Sequence, residues 1–248
     1  MAAARARRGA AETEGDDGRR GRVRSVEVGA RVFLALADAP EGGDALAAVA
    51  ARAGMPGAKA HRYLKSLVAT GLAARDAATG RYALGPEALR VGVAALGRVS
   101  VVRAAAAPLA ALRDETGQTC LLAVPAEAGP TVVLLEVPVR AVTVGARLGG
   151  VLPPDRSASG LALRAAAGEP GAAMDAIRQA GCAAISGAVL PGVDALASAV
   201  RDHTGAARAA VALLGPSGGF DADPSGPVAE AVRRAAAAVS RALGGGGG

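Results

Sequence analysis

Aromatic side chains are scarce: Trp is absent, and Phe33, Tyr63, Tyr82 and Phe220 are the four aromatics in 248 residues. Any core must be built from aliphatic groups. Cysteine is scarcer still. Cys120 and Cys182 are too few for a disulfide framework or a four-cysteine zinc site, and a reducing cytoplasm is the expected location. The two histidines, His61 and His203, lie far apart, so no metal site and no cofactor are expected. Gly145 to Gly150 lacks the Lys-Ser/Thr of a phosphate loop. No catalytic residue is assigned, and an enzyme is not expected. No run of 18 uncharged apolar residues exists, which excludes a membrane-spanning helix. Residues 1–23 lack the apolar stretch of a secretory leader and are expected to form a disordered basic tail.

A hydrophobic fraction of 51% against 20% charged residues is that of a folded chain. The net charge of +6 is unevenly spread. Residues 1–24 carry net +3, residues 25–85 net +2 and the remaining 163 only +1. Three of the four aromatics also fall in the first third. This suggests a compact basic module ahead of a nearly neutral domain. Of 28 cations only Lys59 and Lys65 are lysine. Such an Arg and Ala bias matches a GC-rich genome, so arginine content alone says little about nucleic acid.

The basic module is expected over residues 24–85. Val28, Val32, Phe33 and Leu36 recur at helical spacing, with Ser25 as N-cap and Pro40 beyond the end. Asp44 is placed to cap a second helix whose inner face holds Leu46, Val49 and Ala50. A turn through Gly54-Met55-Pro56 leads to a third helix over about 57–70, closed by Gly71. Ala60, Leu64, Leu67 and Val68 are its expected core face. Ala58, Lys59, His61, Arg62 and Lys65 point the other way. Two short strands then flank a turn ending at Gly80. This order is that of a winged helix-turn-helix, whose second paired helix enters the DNA major groove. The candidate DNA-binding residues are Ala58, Lys59, His61, Arg62 and Lys65, with Arg75 and Arg81 flanking the hairpin. A small helical domain with a solvated basic face is the plainer alternative.

Residues 86–99 read as a linker helix with Leu89, Val93 and Leu96 on one face. A helix over 101–116 follows, ended by Gly117. Strands are expected at 119–124, 131–137, 193–201 and 206–214, with 141–148 extending a sheet. A helix starts at Ser157-Ala158-Ser159-Gly160 and runs to about 167, and another spans 228–243. Residues 164–177, rich in Ala and Gly, give no clear local pattern. The domain spans 100–243, and 244–248 is a flexible Gly tail. His203 lies in a hairpin turn, and Asp221 and Asp223 have the setting of turn and capping residues rather than an acid/base pair.

Several stretches resemble IclR-type transcriptional regulators: Arg24-Ser25-Val26-Glu27, Gly54-Met55-Pro56, Lys59-Ala60-His61-Arg62-Tyr63-Leu64 and Thr79-Gly80-Arg81-Tyr82-Ala83-Leu84-Gly85. The resemblance runs from residue 24 to about 243. It implies an α+β chain: a winged helix-turn-helix joined by a linker helix to a GAF-like α/β effector-binding domain. It also implies double-stranded DNA and a small-molecule effector as partners, with a homodimer or homotetramer as the assembly. Val26, Val32 and Phe33 on the first helix, with the linker-helix leucines and valine, are the expected contacts between copies. By position in the family pattern, the effector-binding candidates are Val144, Leu152, Ala158, Ser159, Ala195, Ala212 and Leu214. Departures matter here. Ala195 stands where many members have cysteine, Ala199 where they have proline, and Ala212-Leu213-Leu214-Gly215-Pro216 replaces a Ser-x-Ser-Gly-Pro. Loss of polar groups favours a fairly apolar or aromatic acid over a glyoxylate-like one. A dimerisation protein that keeps the fold without a ligand is the alternative.

Overall fold

A computed structural model describes residues 23–97, 100–139 and 145–245. Residues 1–22 and 246–248 of the expected tails, and 141–144 of the expected 141–148 strand with Val144 among them, lie outside the described residues; 145–148 form no strand but lead into the turn at 147–150. The chain divides into two compact units at Val93/Ala94.

The first unit holds α1 (Arg24–Ala37), α2 (Leu46–Arg52), α3 (Gly57–Ala69) and the antiparallel pair β1 (Ala73–Arg75) and β2 (Tyr82–Leu84). Val32, Leu36, Val49, Leu64 and Tyr82 are buried together at its centre. Two expected caps differ. α1 begins a residue before Ser25 with Val23 as an uncapped N-cap, so Ser25 lies inside the first turn. Ala45, not Asp44, precedes α2. Asp44 is extended instead and exchanges both backbone hydrogen bonds with Tyr82, each at 2.8 Å. Its carboxylate holds Arg52 at 2.8 Å. An extended Asp44 thus ties the hairpin to the α1–α2 connection, which satisfies more groups than a cap would. Gly43 makes this possible: at φ +81° a Cβ would sit 2.7 Å from the Tyr82 carbonyl oxygen.

Two apolar residues also lie elsewhere than expected. Val32, expected between copies, is fully buried in its own unit. Val68, expected in the core, is 37% exposed. The inner row of α3 runs through Ala60, Leu64 and Leu67, and Val68 falls about 100° further round the helix.

α4 (Pro86–Gly97) crosses the division. The second unit contains α5 (Ser100–Thr116), β3 (Thr119–Val124), β4 (Thr131–Glu136), α6 (Ala158–Ala166), α7 (Ala172–Ala180), β5 (Ala183–Ser186), β6 (Val193–Arg201), β7 (Ala207–Pro216) and α8 (Pro227–Ala242). Its five strands form an antiparallel sheet in the order β4-β3-β7-β6-β5. Alternate residues face opposite sides. Cys120, Leu122, Leu196, Val200, Val211 and Leu213 pack against α5 and α8. Leu121, Ala123, Ala197 and Ala212 face α6. The alanines on that second face let α6 approach the sheet closely.

Two elements were not anticipated. α7 packs on α6, with Met174 buried and Ile177 against the α6-side core, and Gly181 at φ +67° ends it. β5 follows directly and pairs with β6. The segment 164–177 therefore contains the end of α6, a turn and the start of α7.

Candidate DNA-binding surface and ligand cavity

α3 presents Ala58, Arg62 and Lys65 to solvent, with Lys59 and His61 half-buried beside them. These positions are spaced three and four apart and share one face. The Lys59, Arg62 and Lys65 side chains hold no carboxylate among the described residues. The cationic face of α3 is therefore not neutralised from within.

The hairpin is braced by its own turn. Asp76 accepts from the Thr79 N–H at 2.6 Å, the Thr79 hydroxyl at 2.8 Å and the Ala78 N–H at 3.0 Å. These donors, the Thr79 amide foremost, hold its carboxyl below the usual range. Arg75 and Arg81 behave differently from the α3 cations. The Arg75 guanidinium lies 5.7 Å from the Tyr82 ring centre, and Arg81 Nη1 donates to the Gly43 carbonyl at 3.1 Å. Both are already engaged in shaping the hairpin.

In the second unit, a cavity of about 190 Å³ opens on the α6 side of the sheet. Two rows of paired residues form its floor. Leu214, Ala195 and Ile185 are cross-strand neighbours in one row, and Leu121 and Ala212 in the next. Val132, Leu152 and the α6 start at Ser157–Ser159 wall it. Ser157 caps α6: its hydroxyl donates to the Pro153 carbonyl at 2.6 Å and accepts from the Gly160 N–H at 3.0 Å. A Cβ on Gly160 would meet the Pro154 carbonyl oxygen at 2.4 Å, so only glycine lets this first turn sit so close. Ser159 is 2% exposed, and its hydroxyl has no protein hydrogen bond among the described residues. The cavity thus joins apolar walls to a helix start, where free amides carry partial positive charge.

Of the seven expected effector positions, Leu152, Ala158, Ser159, Ala195, Ala212 and Leu214 all line this cavity. Sequence reading missed Arg147, which also lines it. Arg147 begins a tight turn, with the Gly150 N–H donating to its carbonyl at 2.9 Å. The Gly149-Gly150 pair signalled that turn, but nothing in the local pattern tied the arginine to a cavity. Val189 and Leu190 at the mouth were likewise read only as loop.

Other reactive candidates are quiet. Burial pushes the Cys120 thiol up to about 12 and the Cys182 thiol to about 11, so neither supplies a thiolate near neutral pH. His203 is exposed at the β6–β7 turn. Asp221 and Asp223 accept backbone N–H groups two residues on, at 3.0 and 2.8 Å. Among the described residues no group of His, Cys, Asp and Glu could hold a metal ion, and no single helix is long and apolar enough to cross a membrane.

A family model, the IclR helix-turn-helix domain, matches residues 25–77. HmgR of Pseudomonas aeruginosa, a solved structure, is 42% identical over 91% of this chain and 100% of its own, with a TM-score of 0.56. An IclR transcriptional regulator from Alicyclobacillus acidocaldarius shares the fold at TM-score 0.74 and 21% identity, covering 90% of this chain and 99% of that one. An IclR homolog from Microbacterium hydrocarbonoxydans, solved in complex with 4-hydroxybenzoate, gives 0.69 and 22%, covering 88% and 98%. No curated protein matches.

Proposed function

The chain belongs to the IclR family of DNA-binding transcriptional regulators, and from that premise we propose that a small aromatic carboxylic acid, bound in the α6-side cavity, sets its affinity for an operator. The observation that carries this reading is the cavity itself. A site of roughly 150 Å³ suffices for a benzene ring, and 190 Å³ leaves room for a substituent. The walls of Leu121, Ala195, Ala212 and Leu214 suit the ring. The amides of Ala158 and Ser159, the Ser159 hydroxyl and Arg147 suit the carboxylate. The 4-hydroxybenzoate held by the Microbacterium protein supports the same ligand class.

On the DNA side, Arg62 and Lys65 reach base edges and phosphates, with Lys59, Ala58 and His61 beside them. Arg75 and Arg81 hold the wing in shape and offer their remaining N–H groups to phosphates. The working form is a homodimer, or a tetramer built from two dimers, acting in the cytoplasm, because one module covers too little DNA for tight specific binding. Val26 and Leu34 on α1, and Leu89, Val91 and Val93 on α4, are all exposed apolar residues. They are the contacts between copies in this reading: Leu34 takes the place of the buried Val32 and the half-buried Phe33, and Val91 is added, while the Leu96 side chain lies outside the described residues.

The effector must bind the DNA-bound and free forms with different affinity, and the coupling is reciprocal. α4, which crosses from one unit to the other, carries the difference. Thermal-shift screening with benzoate-class acids tests the reading. Stabilisation of the wild type and none of Ala195→Phe, whose ring fills the cavity, is the expected result. Equal response of both proteins would overturn it.

A further inference from the structure

Thr119 opens β3 and is 1% exposed. Ser159 turns its unpaired hydroxyl to the cavity; the Thr119 hydroxyl is, among the described residues, the one side-chain oxygen or nitrogen that is sealed from solvent and has no hydrogen-bond partner. Buried polar groups are almost always paired, so an orphan calls for a partner outside the folded chain. A threonine in a helix can turn its hydroxyl back to a carbonyl one turn earlier, but Thr119 lies in a strand. The register shows where the hydroxyl lies. Thr119 pairs directly with Leu214, Leu214 with Ala195, and Ala195 with Ile185. The last three of that row line the cavity, as does Leu121 two residues further along β3 on the same face. Thr119 is therefore the next residue in the row beyond the cavity lining, beside Leu214.

Resting on the effector reading above, we infer that Thr119 is a specificity residue that selects a ring-hydroxylated aromatic acid over the unsubstituted one. The two polar ends of the site stand over different strands. α6 packs over β5, β6 and β7, so a carboxylate at Ala158 and Ser159 directs the far side of the ring towards β3. A hydroxyl there meets Thr119 once Leu214 changes rotamer, as leucine readily does. Threonine can donate to or accept from a phenol. An acid lacking the hydroxyl leaves Thr119 unpaired, and such sites discriminate strongly against analogues without the polar group.

Calorimetric titration of the full-length protein with benzoate, 3-hydroxybenzoate and 4-hydroxybenzoate tests this. The wild type is expected to prefer one hydroxylated acid by roughly tenfold, the size of one well-placed hydrogen bond. Thr119→Val keeps the shape and removes the hydroxyl. It should lose the preference, bind benzoate as before and melt no lower than wild type. Thr119→Ser should retain the preference. A preference that survives in Thr119→Val overturns the inference. So does a lower melting temperature in that variant with the preference intact, since a buried water then satisfies the hydroxyl. Equal binding of all three acids by the wild type sinks this inference and leaves the effector reading standing. Binding of none sinks both.

Discussion

The third helix of the first unit and the sheet unit handle their cations in opposite ways. On α3 the cations face solvent without carboxylates. In the sheet unit most described arginines are engaged: Arg113 with Glu136, Arg164 with Glu169, Arg178 with Asp175, Arg208 with Asp202, Arg233 with Glu230 and Arg234 with Glu115. Arg178 and Arg201 also donate to the last carbonyls of α6, at Ala165 and Ala166, where helix ends favour cations. Cationic side chains are left without carboxylates on α3 and are fastened to them in the sheet unit. Pairing, rather than abundance, separates the two.

The largest expected effect breaks that contrast at its exposed end. Lys59→Ala, Arg62→Ala and Lys65→Ala combined should weaken operator binding by about 3 kcal/mol or more, some 100-fold in Kd. Fluorescence anisotropy reads it, and unchanged binding removes α3 from the interface. Lys65→Ala alone should lower the slope of log affinity against log salt by about one unit if it meets a phosphate. In the sheet unit, Leu196→Ala on the closed α5/α8 face should cost about 2–5 kcal/mol of stability in urea, because Leu196 is fully buried among aliphatic neighbours. A loss below about 1 kcal/mol, the range of a surface change, would mean that this face is loosely packed. Arg234→Ala is the control. Its pair with Glu115 is half exposed on both sides, so stability should change by less than about 1 kcal/mol and operator binding not at all. An operator defect would show that the sheet-unit arginines are not mere fastenings.

The smallest effect concerns acid. The Thr204 hydroxyl, then Arg208, hold the Asp202 carboxyl far below the usual range. A depressed folded pKa adds stability above the unfolded value of about 4, and that stability is lost as pH falls through the folded value. Asp202→Asn should therefore be less stable than wild type at neutral pH, with the gap closing below about pH 4. Melting curves from pH 2 to 7 check this, and a constant gap would contradict it.

How far the fold could be read in advance depended on contrast between residue types. In the first unit, Val32, Leu36, Leu64 and Tyr82 stand out against polar neighbours, and Gly54, Gly71 and Gly80 mark the turns. The hairpin was visible for the same reason. Its anchor was not, because an extended Asp44 and a capping Asp44 look alike until Tyr82 is placed opposite. In the second unit α7 and β5 were lost in an Ala and Gly background. Alanine serves helix, sheet face and turn flank alike, so Ala172–Ala180 shows its period only through Met174 and Ile177. The cavity was approached through family resemblance, since residues 121, 152, 159, 195 and 214 converge only after the sheet is assembled. Arg147 and Thr119 had no local signal. One is marked by the cavity it lines and the other by a hydroxyl left without a partner.

In this reading the cations of α3 and the open cavity beside α6 are coupled. The most direct measurement is operator affinity, on DNA taken from upstream of the protein's own gene, with and without saturating 4-hydroxybenzoate, for wild type and Ala195→Phe. The account predicts a change of 1–3 kcal/mol in the wild type, about 5- to 150-fold, with none in Ala195→Phe, whose ligand-free affinity stays at the wild-type level. An acid that binds the wild type yet leaves operator affinity unchanged, or an Ala195→Phe protein that responds as the wild type does, would contradict it.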